Sequence, residues 1–139
     1  MTQEQTVYSR PLPAPGPVTQ PFWDGLREGK LVLQWSAKGQ RAIYYPRSVS
    51  PYGPNDELTW RECSGRGTVY SFTVARRPTA PQWADAGDYV IAIVEIEEGA
   101  RITTNIVNCP PDAVRIGMPV RAVFSAVTAE TTLLFFEPA

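Results

Sequence analysis

The sequence predicts a mainly β chain with one short N-terminal helix, on three observations. From Leu31 onward the chain is a series of short apolar or alternating runs, each closed by glycine, proline or asparagine, which is how strands are punctuated. No apolar pattern of helical period runs for ten residues. Fourteen prolines among 139 residues, about twice the ordinary share of roughly 5%, break any longer element.

Residues 1–18 read as an extended arm. Pro11, Pro13, Pro15 and Pro17 fall at every second position, a spacing that favours polyproline-like backbone and forbids helix. With little apolar content, the arm is expected to be disordered alone or laid along a partner. A short helix follows over 19–30: Thr19 or Gln20 can cap it, Pro21 suits its first turn, Asp24 favours its N-terminal end and Gly29 can stop it. Phe22 and Leu26 share one face at i, i+4, with Trp23 beside them. They either dock on the body of the domain or form an aromatic handle for another subunit.

Leu31–Trp35 and Arg41–Tyr45 read as strands joined by a hairpin-like loop. A turn-rich crossing over 46–57 leads to Leu58–Cys63, and Gly65-Arg66-Gly67 reads as a sharp turn or bulge. Five further strands are expected at Thr68–Arg76, Tyr89–Glu97, Arg101–Asn108, Val120–Val127 and Thr132–Glu137. Tyr89–Glu97 is apolar on both faces until Glu95 and should be central. Five strands at this spacing suit a small Greek-key barrel of the OB-fold type over 64–139. The loop Arg77–Asp88 is long for a compact domain, a length usually tied to function. Its Trp83 either tucks onto the barrel or anchors a partner.

Composition excludes more than it grants. The chain has no histidine and two cysteines, with 13 basic against 14 acidic residues. Serine–histidine–acid triads, cysteine–histidine pairs and HExxH metal sites are therefore impossible within it. Near-zero net charge argues against a dedicated nucleic-acid binder. No secretory pattern opens the sequence and no apolar run is long enough for a bilayer, so no membrane partner and a cytoplasmic setting are expected.

Three segments together resemble one family: Phe22-Trp23-Asp24-Gly25-Leu26-Arg27-Glu28-Gly29-Lys30-Leu31, Ser64-Gly65-Arg66-Gly67-Thr68-Val69-Tyr70-Ser71-Phe72-Thr73, and Val114-Arg115-Ile116-Gly117-Met118-Pro119-Val120. It is the family of zinc-ribbon/OB-fold accessory proteins, domain of unknown function 35, and the resemblance covers roughly residues 20–138. It implies an N-terminal helix, a rubredoxin-like ribbon over 31–63 and a C-terminal OB-fold. It also implies a non-catalytic role beside a thiolase-like subunit: a thiolase, an acyltransferase or an aldolase that shortens CoA-activated side chains such as those of steroids. Setting Tyr45-Pro46-Arg47 on the family's Pro-Pro-Arg places Ser36, Gly39, Ser50 and Gly53 where four thiolates belong. Serine is a poor zinc ligand and glycine has no side chain, so a degenerate, metal-free ribbon is expected. Zinc ordinarily contributes folding free energy to such a ribbon. Trp35, Tyr44, Tyr45 and Tyr52 are expected to replace it as an aromatic cluster.

Arginine outnumbers lysine 11 to 2. Arginine stems covering aromatic rings and pairing with glutamates is the first reading, contact with the phosphates of acyl-CoA the second, and single-stranded nucleic acid the third. Cys63 and Cys109 are expected to be structural, and Glu95, Glu97 and Glu98 a solvated hairpin end. No cofactor is expected on this chain itself. The residues expected to meet a partner or ligand are Phe22, Trp23, Leu26, Tyr44, Tyr45, Arg47, Arg66, Arg76 and Trp83. The competing expectation is a free-standing OB-fold module for acyl-CoA or single-stranded nucleic acid.

Overall fold

The computed structural model describes residues 8–78 and 80–139. Among the described residues the fold is mostly β, with one α-helix, a three-stranded sheet and a closed five-stranded barrel. Residues 1–7 of the expected arm and Thr79 of the long loop lie outside the described residues.

The helix α1 spans Gln20–Arg27 with Pro21 in its first turn, and Gly29 at φ +72° turns the chain out of it. The Thr19 hydroxyl donates back to the Gly16 carbonyl (3.2 Å) and does not cap α1. Phe22 and Leu26 are buried, so their four-residue spacing is a core stripe. Gly25 permits the close approach to the strand below, because a Cβ there would meet the Val32 side chain at 2.8 Å.

Strands β1 (Leu31–Ser36), β2 (Arg41–Ile43) and β3 (Leu58–Cys63) form an antiparallel sheet in the order β2-β1-β3. The second strand stops at Ile43, short of the expected Tyr45. The barrel comprises β4 (Arg66–Ala75), β5 (Tyr89–Ile96), β6 (Arg101–Ile106), β7 (Pro119–Ala126) and β8 (Thr132–Pro138), in the order β4-β5-β6-β8-β7 and closed by β4 against β7. The β6–β8 pairing is parallel and reduced to Ile106 opposite Phe136. This is the OB-type barrel that the strand spacing predicted.

Along β5, Val90, Ala92, Val94 and Ile96 point inward and are buried, as period-2 alternation requires. The strand is central, paired to β4 and β6, but its outer face is open: Ile91 is 37% exposed and Ile93 36%. An apolar outer face is not, in this case, a covered one. The bulge also lies elsewhere than Gly65–Gly67: the β4–β5 register shifts between Val69 and Ser71. Tyr70 is thereby turned outward, where the Arg101 guanidinium lies 3.8 Å from its ring centroid. Gly67 is needed for a different reason, since a Cβ there would sit 2.5 Å from the Glu95 carbonyl oxygen.

One core unites the parts. Phe22 and Leu26 of α1, Leu31 and Leu33 of β1, and Val69, Val94, Ile102, Val120 and Phe136 of the barrel form a single buried cluster. A backbone bond from the Ala42 amide to the Glu98 carbonyl (2.9 Å) ties the small sheet to the β5–β6 hairpin.

Candidate functional site

At that junction lies a cavity of about 410 Å³, lined on the sheet side by Arg41, Tyr44, Arg47 and Tyr52 and on the hairpin side by Glu95 and Arg101. Each wall has a local cause. The Gln34 side chain grips the backbone of Arg47 twice, accepting from its amide and donating to its carbonyl, both at 2.7 Å. That grip fixes the turn after β2 and leaves the Arg47 side chain at the surface. Tyr44 is half-buried, 6.1 Å edge-on from Phe22 and 4.2 Å from Tyr45 between ring centroids. Burial, with help from Tyr45, pushes its phenol up to about 12, so Tyr44 is a neutral donor across the physiological range. Arg101 is committed to Glu95 at 2.9 Å. Among the described residues Arg41 and Arg47 pair with no carboxylate, so the cavity carries two uncompensated guanidiniums beside two phenols. Such a site can bind an anionic group through planar, charge-assisted forks.

On the far side of Tyr52 two of the four ribbon positions, Ser36 and Ser50, meet at Asp56. The Ser36 and Ser50 hydroxyls both donate to its Oδ2, and the Lys38 amide donates to Oδ1 at 2.8 Å. The Gly39 amide donates to the Ser36 hydroxyl oxygen (2.8 Å), and the Gly53 amide to the Ser50 carbonyl (3.4 Å). A tetrathiolate metal does not fit these residues. A Cβ at Gly39 would lie 2.7 Å from the Tyr52 ring, Gly53 holds φ +133°, and the Lys38 ammonium lies 3.3 Å from where a Gly53 Cβ would be. No group of three or more histidine, cysteine, aspartate or glutamate side chains could hold a metal among the described residues. The expected aromatic cluster is not what fills the position: Trp35 lies under the Arg61 guanidinium at 3.9 Å, and Tyr44 faces the helix. Of that set only Tyr52 reaches the four positions, by packing on Gly39.

Cys63 and the hairpin carboxylates are engaged. Burial, and after it the Glu98 carboxylate, pushes the Cys63 thiol up to about 12, which keeps it protonated. Glu95 pairs with Arg101 and Glu97 with Arg66 (3.0 Å), while Glu98 accepts from the Ser64 amide and hydroxyl.

Residues 60–125 match the family of the ChsH2 C-terminal OB-fold domain. A DUF35 domain-containing scaffold protein of Methanothermobacter thermautotrophicus is 48% identical over 93 residues, 63% of this chain and 67% of that protein. The chain belongs to the DUF35 family. A probable enoyl-CoA hydratase alpha subunit of Thermomonospora curvata is 33% identical over 138 residues, 99% of this chain but only 43% of that longer protein. A chain of the Ltp2-ChsH2(DUF35) aldolase superposes with TM-score 0.79 at 32% identity, covering 91% of this chain and 98% of that one.

Within this DUF35 chain the nine expected contact residues are dispersed. Tyr44 and Arg47 line the cavity, and Tyr45, 60% exposed, stands beside it. Phe22 and Leu26, expected to dock on the domain body or form a handle, dock as core residues, and Trp23 beside them is half-buried. Trp83 tucks back, stacked on Tyr89 at 5.5 Å and covered by the Arg10 guanidinium at 4.4 Å. The arm thus meets its own barrel, where Tyr8, Arg10 and Pro11 line a cavity of about 410 Å³ together with Trp83, Leu133 and Phe135. Arg66 and Arg76 are tied to Glu97 and Asp88 (2.7 Å). Arg41 and Arg101, which join the site, stood in the arginine series without distinction. Asp56 was missed: a single acidic residue in a Pro/Gly/Asn turn bears no ligand spacing. No helix among the described residues is long and apolar enough to cross a membrane.

Proposed function

We propose that this chain is a non-catalytic accessory subunit of a thiolase-like acyl-CoA enzyme, of the thiolase, acyltransferase or side-chain-cleaving aldolase kind. The observation that carries this reading is the match to nearly the whole of a chain from the Ltp2-ChsH2(DUF35) aldolase. The chemistry of the chain agrees with it. There is no histidine in the sequence, Cys63 is held protonated, and the hairpin carboxylates are engaged by neighbours. The reacting groups then belong to the partner. The two free thiols suit a reducing compartment, and the cytoplasm is part of the proposal.

Within the complex, the cavity between sheet and barrel contacts the phosphate end of the CoA thioester, with Arg41 and Arg47 as the anion-binding pair and Tyr44 and Tyr52 as walls. Its volume of about 410 Å³ suits part of a cofactor rather than all of it. The test is co-expression in the native host with recovery of the tagged chain and its thiolase-like subunit. Arg41→Ser with Arg47→Ser should leave the complex intact and raise KM for acyl-CoA on the order of tenfold, the cost of losing charge-assisted bonds. An unchanged KM would refute the CoA contact. Recovery of the full chain without any thiolase-like subunit, together with acyl-CoA or single-strand binding by the chain alone, would refute the accessory role and favour a free-standing module.

A further inference from the structure

We infer that the Asp56 carboxylate is the internal replacement for the ribbon's metal, an anionic hub that holds by accepting hydrogen bonds what a cation would hold by binding thiolates. In a zinc ribbon four electron-pair donors surround a positive centre. Here the polarity is reversed. One carboxylate stands at the centre, and the two positions that keep a side chain, Ser36 and Ser50, both donate protons to it. The two that lose theirs, Gly39 and Gly53, are tied in through their backbone amides to Ser36 and Ser50.

The hub clamps the same connections a metal would. Ser36 ends β1, Ser50 lies in the crossing after β2, and Asp56 precedes β3, so one residue fastens positions 20 and 6 residues away. Both loop closures meet at one carboxylate, so its loss releases both together. Ser36 is fully buried and Ser50 nearly so, which makes each hydroxyl costly to leave unpaired. Desolvation works to raise the Asp56 carboxyl, but the Ser36 and Ser50 hydroxyls, the Lys38 amide and the Lys38 charge outweigh it and hold the group below its ordinary value. Neither glycine position leaves open room for a ligand side chain. The Tyr52 ring fills the place of a Gly39 side chain, and the Lys38 ammonium lies 3.3 Å from where a Gly53 Cβ would be.

The hub also bears on the cavity. Ser50 oxygen accepts from the Tyr52 amide at 3.0 Å, so the carboxylate positions a wall of the site through Ser50. The ribbon of this subunit would therefore keep its shape, and its cavity, regardless of zinc supply.

The experiment uses the full chain. Metal analysis after purification with added zinc should find well under one equivalent, and a chelator should leave the melting temperature unmoved. Asp56→Ala should lower the melting temperature and speed amide exchange across residues 37–57 on the order of tenfold or more, while the barrel strands keep their protection. Should that variant fail to fold, Ser50→Ala removes one donor and reads the same segment more gently. Combined Ser50→Ala and Asp56→Ala should cost less than the sum of the two singles, because both cut one network. One equivalent of zinc whose removal unfolds residues 31–63 would overturn the inference. So would exchange in 37–57 that neither Asp56→Ala nor Ser50→Ala changes.

Discussion

Leu26→Ala separates core from contact on helix α1. Leu26 is 1% exposed and belongs to the cluster that joins α1 to the sheet and the barrel. Truncation removes three carbons from an apolar site, about 2.5 kcal/mol of transfer free energy at roughly 0.8 kcal/mol per carbon. The helix is held on several sides by strands, so collapse into the gap is limited and the cavity raises the total to about 3–5 kcal/mol. For a chain of this size that corresponds to a fall in Tm on the order of 10–20 °C. Trp23→Ala, at a half-buried residue whose ring meets the edge of Phe22 at 5.0 Å, should cost distinctly less. The assay is thermal and urea unfolding followed by circular dichroism, with partner capture repeated in the cold. Leu26→Ala should be destabilised yet still capture its partner at about 4 °C, well below the lowered Tm. A destabilisation under about 1 kcal/mol would refute the placement of Leu26 in the shared core.

Two further outcomes follow from the titrating groups. Cys63 should resist alkylation at pH 8 in the folded chain and react once urea opens the core, since burial holds its thiol protonated; labelling mapped by mass spectrometry reads this directly. Acid should weaken the fold through three carboxyls held below their ordinary values: Asp56 by its hydroxyl and amide donors against desolvation, Glu97 by Arg66 and Ser64, and Glu137 by Asn108 and Arg121. The folded values lie below the unfolded ones. Their stabilisation is therefore complete above the ordinary carboxylate range and is lost as pH falls through the folded values. Urea midpoints measured from pH 6 down to pH 2 should decline in that window, and a flat profile would contradict the network.

The barrel was legible because strand burial leaves a period in the chain. Val90, Ala92, Val94 and Ile96 alternate with outward residues, and glycine or proline marks each end. The period does not say whether an apolar second face is covered, and Ile91 and Ile93 on that face stay open in the fold. The Phe22–Leu26 stripe had the same ambiguity in reverse, since an apolar stripe reads alike whether it meets the core or a partner. Trp83 could not be placed because what covers it, Arg10 and Tyr89, comes from the arm and from the start of β5. Asp56 was invisible for a deeper reason. Metal ligation imposes residue types at fixed spacing, whereas a carboxylate accepting from hydroxyls and amides needs only proximity, which sequence does not display.

The arginine excess becomes informative once each guanidinium is followed to its partner. Arg61 covers Trp35, Arg101 covers Tyr70 while pairing with Glu95, and Arg10 covers Trp83. Arg27, Arg66, Arg76 and Arg121 are paired to Asp24, Glu97, Asp88 and Glu137. The first reading of the series, stems on rings and forks on carboxylates, accounts for these seven. Arg41, Arg47, Arg77 and Arg115 remain without such a partner among the described residues. Arg77 lies in the long loop and Arg115 in the turn before β7, whereas Arg41 and Arg47 line one cavity with two phenols. Electrostatics alone would drive two unpaired cations apart, and here the fixed backbone at Gln34 and Ala42 holds both at the same opening. Most of the arginines cover rings or pair with carboxylates, and the two that line this cavity without a carboxylate partner are the pair on which the proposed CoA contact rests.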